Sequence, residues 1–313
     1  MDWKHQIAQA AERIAGHVRR TPVMMQAAIG LDLPVDLKFE QMQHTGSFKT
    51  RGAFNTLLSS DVPPAGVVAA SGGNHGAAVA FAARALGHPA TIFVPEMAGP
   101  SKIALIRETG AECRVVPGAY ANALDAALAF EAQTGAMQVH AYDAVGTVAG
   151  QGTLMAEWDE QGLEADTVLI AVGGGGLLAG AMAWTGTARR IVAVEPETSC
   201  ALHAALEAGA PVDVDVSGIA ANALGAKRIG SICFDLAQRT GVRSLLVTDT
   251  AIAEARRHLW RQLRQLVEPA GAAALAALMS GAYRPAPGER VAVLVCGANP
   301  APDPLADPAD RQA

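Results

Sequence analysis

Lys49 stands in the turn TGSFKTRGA (45–53), immediately before the helical stretch GAFNTLL. A lone lysine is usually a surface charge, but here Ser47 and Phe48 precede it in a turn that can present its amine to a cleft. An amine with a lowered pKa is the group an aldehyde needs to form a Schiff base. Gly173, Gly174, Gly175 and Gly176 follow an apolar run and open a helical one. Free N–H groups and the helix dipole make such a junction a phosphate site; the plain alternative is a flexible turn. SGGNHG (71–76) repeats the setting, with amides suited to a carboxylate and Asn74 offering a side-chain amide to a hydroxyl. Its plain alternative is an ordinary turn in which backbone satisfies His75.

The glycine run alone does not say which phosphate it holds. Residues 174–179 read GGGLLA, a G-x-G-x-x-A, and Glu195 ends the next apolar run. It lies ~20 residues on, where a ribose-binding acid belongs, so a nicotinamide dehydrogenase competes. Two anion-binding turns and an activated lysine are more than a dehydrogenase requires. They fit a phosphorylated aldehyde cofactor together with an amino acid.

These segments sit at the joints of a repeating unit: an apolar β-branched run, a glycine, then an alanine-rich helical stretch. The apolar runs are GVVAA (66–70), ATIFVP (90–95), ECRVVP, TVLIAV (167–172), RIVAVEP, SLLVT and RVAVLV. Short strands alternating with helices predict an α/β fold with parallel sheets covered by helices. The proline-rich break SSDVPPAG (59–66) and the stretch around Asp143 to Gly152 are candidate crossings between domains. Residues 61–144 then form a small domain inserted between the two parts of a larger one, 1–60 and 145–313. The tail APDPLADPADRQA, from about residue 302, is expected to have little fixed structure.

The chain has 313 residues, enough for two domains at the usual ~100–200 each. A net charge of -6 gives no general attraction to nucleic acid or acidic membranes. The arginines 256, 257, 261 and 264 have helical spacing and read as a solvated helix face. Cys113, Cys200, Cys233 and Cys296 are far apart, which suggests reduced thiols in a cytoplasm rather than zinc or disulfides. The N-terminus reads as an amphipathic helix with Ile7, Ile14 and Val18 on one side, and no apolar run approaches the ~18 residues of a membrane span.

Taken in order, TGSFKTRGA, SGGNHG, AGQGT (149–153), VGGGGLLAG (172–180), VAVEPE (192–197), VEPAGAAALAAL (267–278) and CGAN (296–299) resemble the serine/threonine dehydratase family of fold-type II pyridoxal phosphate enzymes. The resemblance runs from about Thr21 to Asn299. It implies that Lys49 holds pyridoxal 5'-phosphate as a Schiff base, with Phe48 packed beside it. It also implies that Gly173 to Gly176 with Leu177 cradle the phosphate, that Asn74 meets the ring hydroxyl, and that Cys296 faces the ring nitrogen. Ser71, Gly72 and His75 would bound the substrate carboxylate. The implied reaction is β-elimination of water from L-threonine or L-serine, with Lys49 as base, giving a 2-oxo acid and ammonia. A thiol at Cys296 is a weak donor, which favours prompt elimination over a long-lived carbanion. A homodimer is the assembly implied.

Departures from the family pattern sharpen the expectation. Racemases of the family carry a serine where this chain has Gly72, so efficient racemisation is not expected. Ala201 stands where a cation-binding aspartate would follow Glu195, so no metal is assigned. Ala223 replaces a usual glycine in SGIAANALGAKRIG (217–230), and Glu268 keeps an acidic residue near the site without an assigned role. The chain ends soon after CGAN, so no C-terminal regulatory domain is expected. The alternatives are a hydroxyaspartate or phenylserine ammonia-lyase, a serine racemase or a β-replacement synthase on the same scaffold. More remote are an NAD-dependent dehydrogenase and a catalytically silent amino-acid-binding protein.

Overall fold

The computed structural model describes residues 1–300 together with Pro302 and Pro304. The tail from about residue 302 therefore lies outside the described residues, those two prolines apart. Among the described residues ten strands form two sheets. The strands are β1 (Val23–Ala27), β2 (Val35–Phe39), β3 (Val67–Ala70), β4 (Ala90–Pro95) and β5 (Glu112–Val116), then β6 (Met137–Gln138), β7 (Thr167–Ala171), β8 (Arg190–Pro196), β9 (Arg243–Val247) and β10 (Val291–Val295).

The larger sheet has the order β1-β2-β10-β7-β8-β9 and the smaller one β5-β4-β3-β6. Every pairing is parallel except β1 with β2. Parallel strands joined by helices are covered on both faces, so they read as continuous apolar runs rather than alternating ones. Accordingly β3, β7 and β10 are buried along their whole length.

This topology carries every segment singled out above to the carboxyl end of a strand. SGGNHG follows β3, the glycine run follows β7, CGAN follows β10, and the turn bearing Lys49 lies beyond β2. In open parallel sheets that end is where ligands bind, because helix N-termini converge there.

Four glycines explain how two of these segments are held together. The helix Val145–Glu160, which contains AGQGT, lies against both the helix Lys49–Leu58 and the helix Gly176–Thr185. A Cβ on Gly150 would come within 2.7 Å of Gly52 Cα, and one on Gly180 within 2.5 Å of the Gly152 amide. Backbone therefore touches backbone along this seam, a separation open only to glycine.

Behind Lys49 lies a buried ion network. Arg51, 1% exposed, donates to both oxygens of Glu40 at 2.9 and 2.7 Å and to Glu157 at 2.9 Å. Glu157 also accepts from Lys38 at 2.5 Å, and Lys38 donates to Gln161 Oε1 and the Thr21 carbonyl. The network ties the helix that starts at Lys49 to β2 and to the helix Val145–Glu160. Arg256, read above as part of a solvated face, instead turns inward and donates to the Val267 carbonyl at 3.0 Å.

Candidate active site

Lys49 begins its helix directly after a tight bend in which Thr45 and Gly46 both take positive φ, 57° and 73°. Phe48 N–H donates to the Cys296 carbonyl at 3.3 Å and Ser47 bridges Gly297, so the turn is stitched to the end of β10. The amine Nζ donates to the Ala141 carbonyl at 2.8 Å, and the Phe48 ring centre is 5.2 Å from it. Burial lowers the Lys49 pKa to about 8, against the opposing charge of Glu268. At pH 7 that leaves roughly a tenth of the amine neutral, against about one part in three thousand for an unperturbed lysine. A nucleophilic amine is thus available near neutrality.

The carbonyl that receives Lys49 belongs to the stretch His140–Asp143, which leads from β6 into the helix Val145–Glu160. His140 Nδ1 accepts the amides of Tyr142 and Asp143, and Asp143 caps the helix Ser231–Thr240 through Ser231 and Ile232. Tyr142 lies on the glycine run. A Cβ on Gly174 would run into its ring, and one on Gly176 would lie 2.9 Å from its Cα. Gly175 takes φ 92°, and a Cβ there would meet Cys233 Sγ at 2.5 Å; one on Gly173 would meet Leu224 Cα at 2.9 Å. The amides of Gly173, Gly174 and Gly175 make no backbone hydrogen bond among the described residues. Together with the helix start and buried Leu177, they form a set of free donors that only glycine permits.

The loop after β3 offers a second such set. Ser71 Oγ accepts the Gly73 amide at 3.2 Å, and Asn74 opens the helix Asn74–Ala85. A Cβ on Gly72 would overlap Ala98 Cβ and lie 3.3 Å from Pro95 Cδ. His75 Nε2 donates to the Val139 carbonyl at 2.8 Å. Burial and the nearby Lys49 charge push its pKa down to about 3, so the ring is neutral. Its side chain is thereby engaged, and the loop can present the His75 backbone amide. The segment Ala221–Leu224 lies between the two donor sets, with the Asn222 carbonyl 3.6 Å from a Cβ on Gly73.

Cys296 is buried, its thiol donating to the Ala270 carbonyl at 3.3 Å, and burial pushes its pKa up. It is a neutral thiol. Glu195, weighed above as a ribose ligand, is wholly buried at the end of β8. Its oxygens accept the amides of Leu202 and His203 and the Ser244 hydroxyl, at 2.7 to 2.9 Å. It caps the helix Ala201–Ala208 and has no free face for a ribose. Among the described residues no group of three or more His, Cys, Asp or Glu side chains is placed to hold a metal ion.

The profile of the family described as Pyridoxal-phosphate dependent enzyme matches residues 14–297. The chain belongs to that family. Its cofactor is pyridoxal phosphate, and the residues present fit it: a depressed amine, a glycine cradle with unpartnered amides, and a neutral thiol. Phenylserine dehydratase of Ralstonia pickettii is 37% identical over 301 residues, covering 94% of this chain and 92% of that one. Among solved structures, maize serine racemase superposes with a TM-score of 0.88 at 32% identity, covering 95% and 93%. The threonine deaminase of T.th. also reaches 0.88, at 34% identity, covering 96% and 99%. These neighbours bear out the fold-type II α/β reading.

His140, Ala141 and Tyr142 were not anticipated as parts of the site. The stretch 140–143 carries no local pattern and gains its place from the crossing between sheets. Its position at the crossing read around Asp143 to Gly152, shortly before AGQGT, is the signal that points to it.

Proposed function

We propose that this enzyme is an ammonia-lyase that eliminates water from a hydroxy amino acid such as L-threonine or L-serine, yielding a 2-oxo acid and ammonia. The observation that carries the reading is the Lys49 amine, with a pKa of about 8, set against a segment that packs on the glycine run. When bound, the cofactor supplies a conjugated ring that stabilises negative charge at the substrate Cα.

The chain's own residues do the rest. Lys49 Nζ would hold the cofactor covalently, and the same amine would serve as the base for the α-proton. The amides of Gly173 to Gly176 with Leu177 hold the phosphate end, and Phe48 packs alongside. Asn74 donates to the ring hydroxyl, and Cys296 leaves the ring nitrogen without a strong acid. Ser71, Gly72 and the His75 amide bind the substrate carboxylate at a helix N-terminus.

Residues 61–144, which hold all four strands of the smaller sheet, support a small domain inserted between 1–60 and 145–313. The reading extends to a homodimer in the cytoplasm. The four cysteines are free thiols and no helix among the described residues is long and apolar enough to cross a membrane. Sedimentation velocity tests the dimer. A phenyl-bearing substrate is the second reading, supported by the identity to phenylserine dehydratase. Racemisation is disfavoured by Gly72, which carries no proton and is packed under Ala98.

Borohydride trapping followed by peptide mass spectrometry tests the anchor: the adduct is expected on Lys49, and active protein unmodified there refutes the reading. A panel of serine, threonine, phenylserine and 3-hydroxyaspartate, scored for 2-oxo acid and ammonia, then assigns the substrate.

A further inference from the structure

Asn74, Glu268, Lys102 and Asn299 form a continuous polar network where the loops of the two sheets meet. Asn74 Nδ2 donates to Glu268 Oε1 at 2.5 Å, and Asn74 Oδ1 accepts from Asn299 Nδ2 at 2.9 Å. Lys102 Nζ lies 3.5 Å from Glu268 Oε2 and donates to the Asn299 carbonyl at 2.6 Å. Asn299 Nδ2 reaches on to the Thr45 carbonyl at 2.7 Å, in the bend that leads to Lys49. Lys102 and Glu268 are each 2% exposed. A side chain on Gly297 would overlap Glu268 Oε1, so the glycine of CGAN is what lets the carboxylate approach.

A carboxylate accepts hydrogen bonds and does not donate them. Glu268 therefore fixes which end of the Asn74 amide faces it, and Asn299 fixes the other end. One amide hydrogen of Asn74 is left over. Burial pushes the Glu268 carboxyl above its usual range, while Lys102, Asn74 and the nearby Arg256 oppose that shift. A buried carboxylate without such partners would take up a proton, could then donate, and would no longer dictate the amide's sense.

We propose that Glu268, with Lys102 as its counter-charge, is a positioning residue that locks the Asn74 amide so that its second hydrogen serves the cofactor's ring hydroxyl. The proposal deepens the pyridoxal phosphate reading and rests on it. It also gives the second lysine of the site a role distinct from that of Lys49. Lys102 and Asn74 flank the smaller sheet while Glu268 and Asn299 flank the larger, so the donor is aligned only when both are in register.

The test is titration of pyridoxal phosphate into apo-protein, read by equilibrium affinity and by the visible absorption of the bound cofactor. Glu268→Gln is nearly isosteric, but its amide can donate as well as accept, so the sense of the Asn74 amide is then held by Asn299 alone. It is expected to weaken binding about tenfold, the equivalent of one hydrogen bond, and to shift the absorption band. The exchanged pair N74D/E268Q restores the contact with donor and acceptor swapped. It is expected to regain the wild-type thermal midpoint without regaining affinity. Wild-type affinity and absorption in E268Q, or wild-type affinity in the exchanged pair, would overturn the proposal. If E268Q alone does not fold, the exchanged pair decides by the same affinity criterion. Hydride trapping of the wild type separates the two levels. No adduct on Lys49 overturns cofactor anchoring and positioning together, whereas an adduct with an unaltered E268Q overturns positioning alone.

Discussion

Replacing Gly72 by serine probes how the loop after β3 excludes a second proton-bearing group from the site. The new Cβ would overlap the Ala98 methyl and press on Pro95 Cδ at 3.3 Å, where carbon atoms settle at about 3.5–4.0 Å. Ala98 ends a short 3-10 turn, Glu96–Ala98, and is followed by Gly99 at φ 82°, so it cannot retreat without moving β4's exit. Overpacking of this kind costs about 1–3 kcal/mol. In a chain of this size that corresponds to a fall of roughly 1.5–5 °C in thermal midpoint. Gly72→Ser is therefore expected to lose stability and to gain little Cα exchange, because the hydroxyl is displaced with the loop. Removing the obstructing methyl as well, in G72S/A98G, should restore the midpoint and let the hydroxyl approach Cα. Thermal unfolding and chiral chromatography of serine in deuterated water measure the two effects. A G72S protein as stable as wild type that forms D-serine rapidly would refute the reasoning.

Four further outcomes follow from the geometry. Lys49→Ala should lose turnover by orders of magnitude and give no hydride-trapped adduct while keeping its circular dichroism, since anchor and base disappear together. Covalent uptake of cofactor by apo-protein requires the neutral amine. Its rate should therefore climb with pH and level off above about 8 instead of continuing towards 10.5, as stopped-flow absorbance would record. Gly174→Ala pushes a methyl into the Tyr142 ring and should lower both cofactor affinity and thermal midpoint, with Y142A recovering the midpoint in the double variant. Arg51→Met leaves the buried Glu40 carboxylate without a counter-charge, while Glu157 keeps Lys38, and should cost about 3–5 kcal/mol in urea unfolding.

Much of this site could be read from the sequence because its parts are local. A glycine run after an apolar strand, or a lysine in a glycine–serine turn, declares itself within ten residues. β3, β4, β7, β8 and β10 were equally plain, being buried along all or nearly all of their length and so almost continuously apolar. β2 was not, and the reason is chemical. VDLKF carries Asp36 and Lys38, both wholly buried, where charge normally signals surface. Each is paired with a residue from another element or strand: Lys38 with Glu157 at 2.5 Å, and Asp36 with the Gln26 amide at 2.7 Å. β1 was masked by a register break next to Gln26, whose φ is 50°. β6 spans only two residues and leaves too short a pattern. Tyr142 and Lys102 belong to the site through contacts across the chain, on which no local periodicity reports.

The glycine seam along Val145–Glu160 has a consequence for how such an enzyme can change. One helix sets the gauge between the tether and the anion cradle: a methyl added at Gly150 presses on the tether's helix, and one at Gly152 presses on the cradle's. The loop after β3 and the segment Ala221–Leu224 lie off this helix. Mutation can reshape those loops while the gauge stays at the width of a missing side chain.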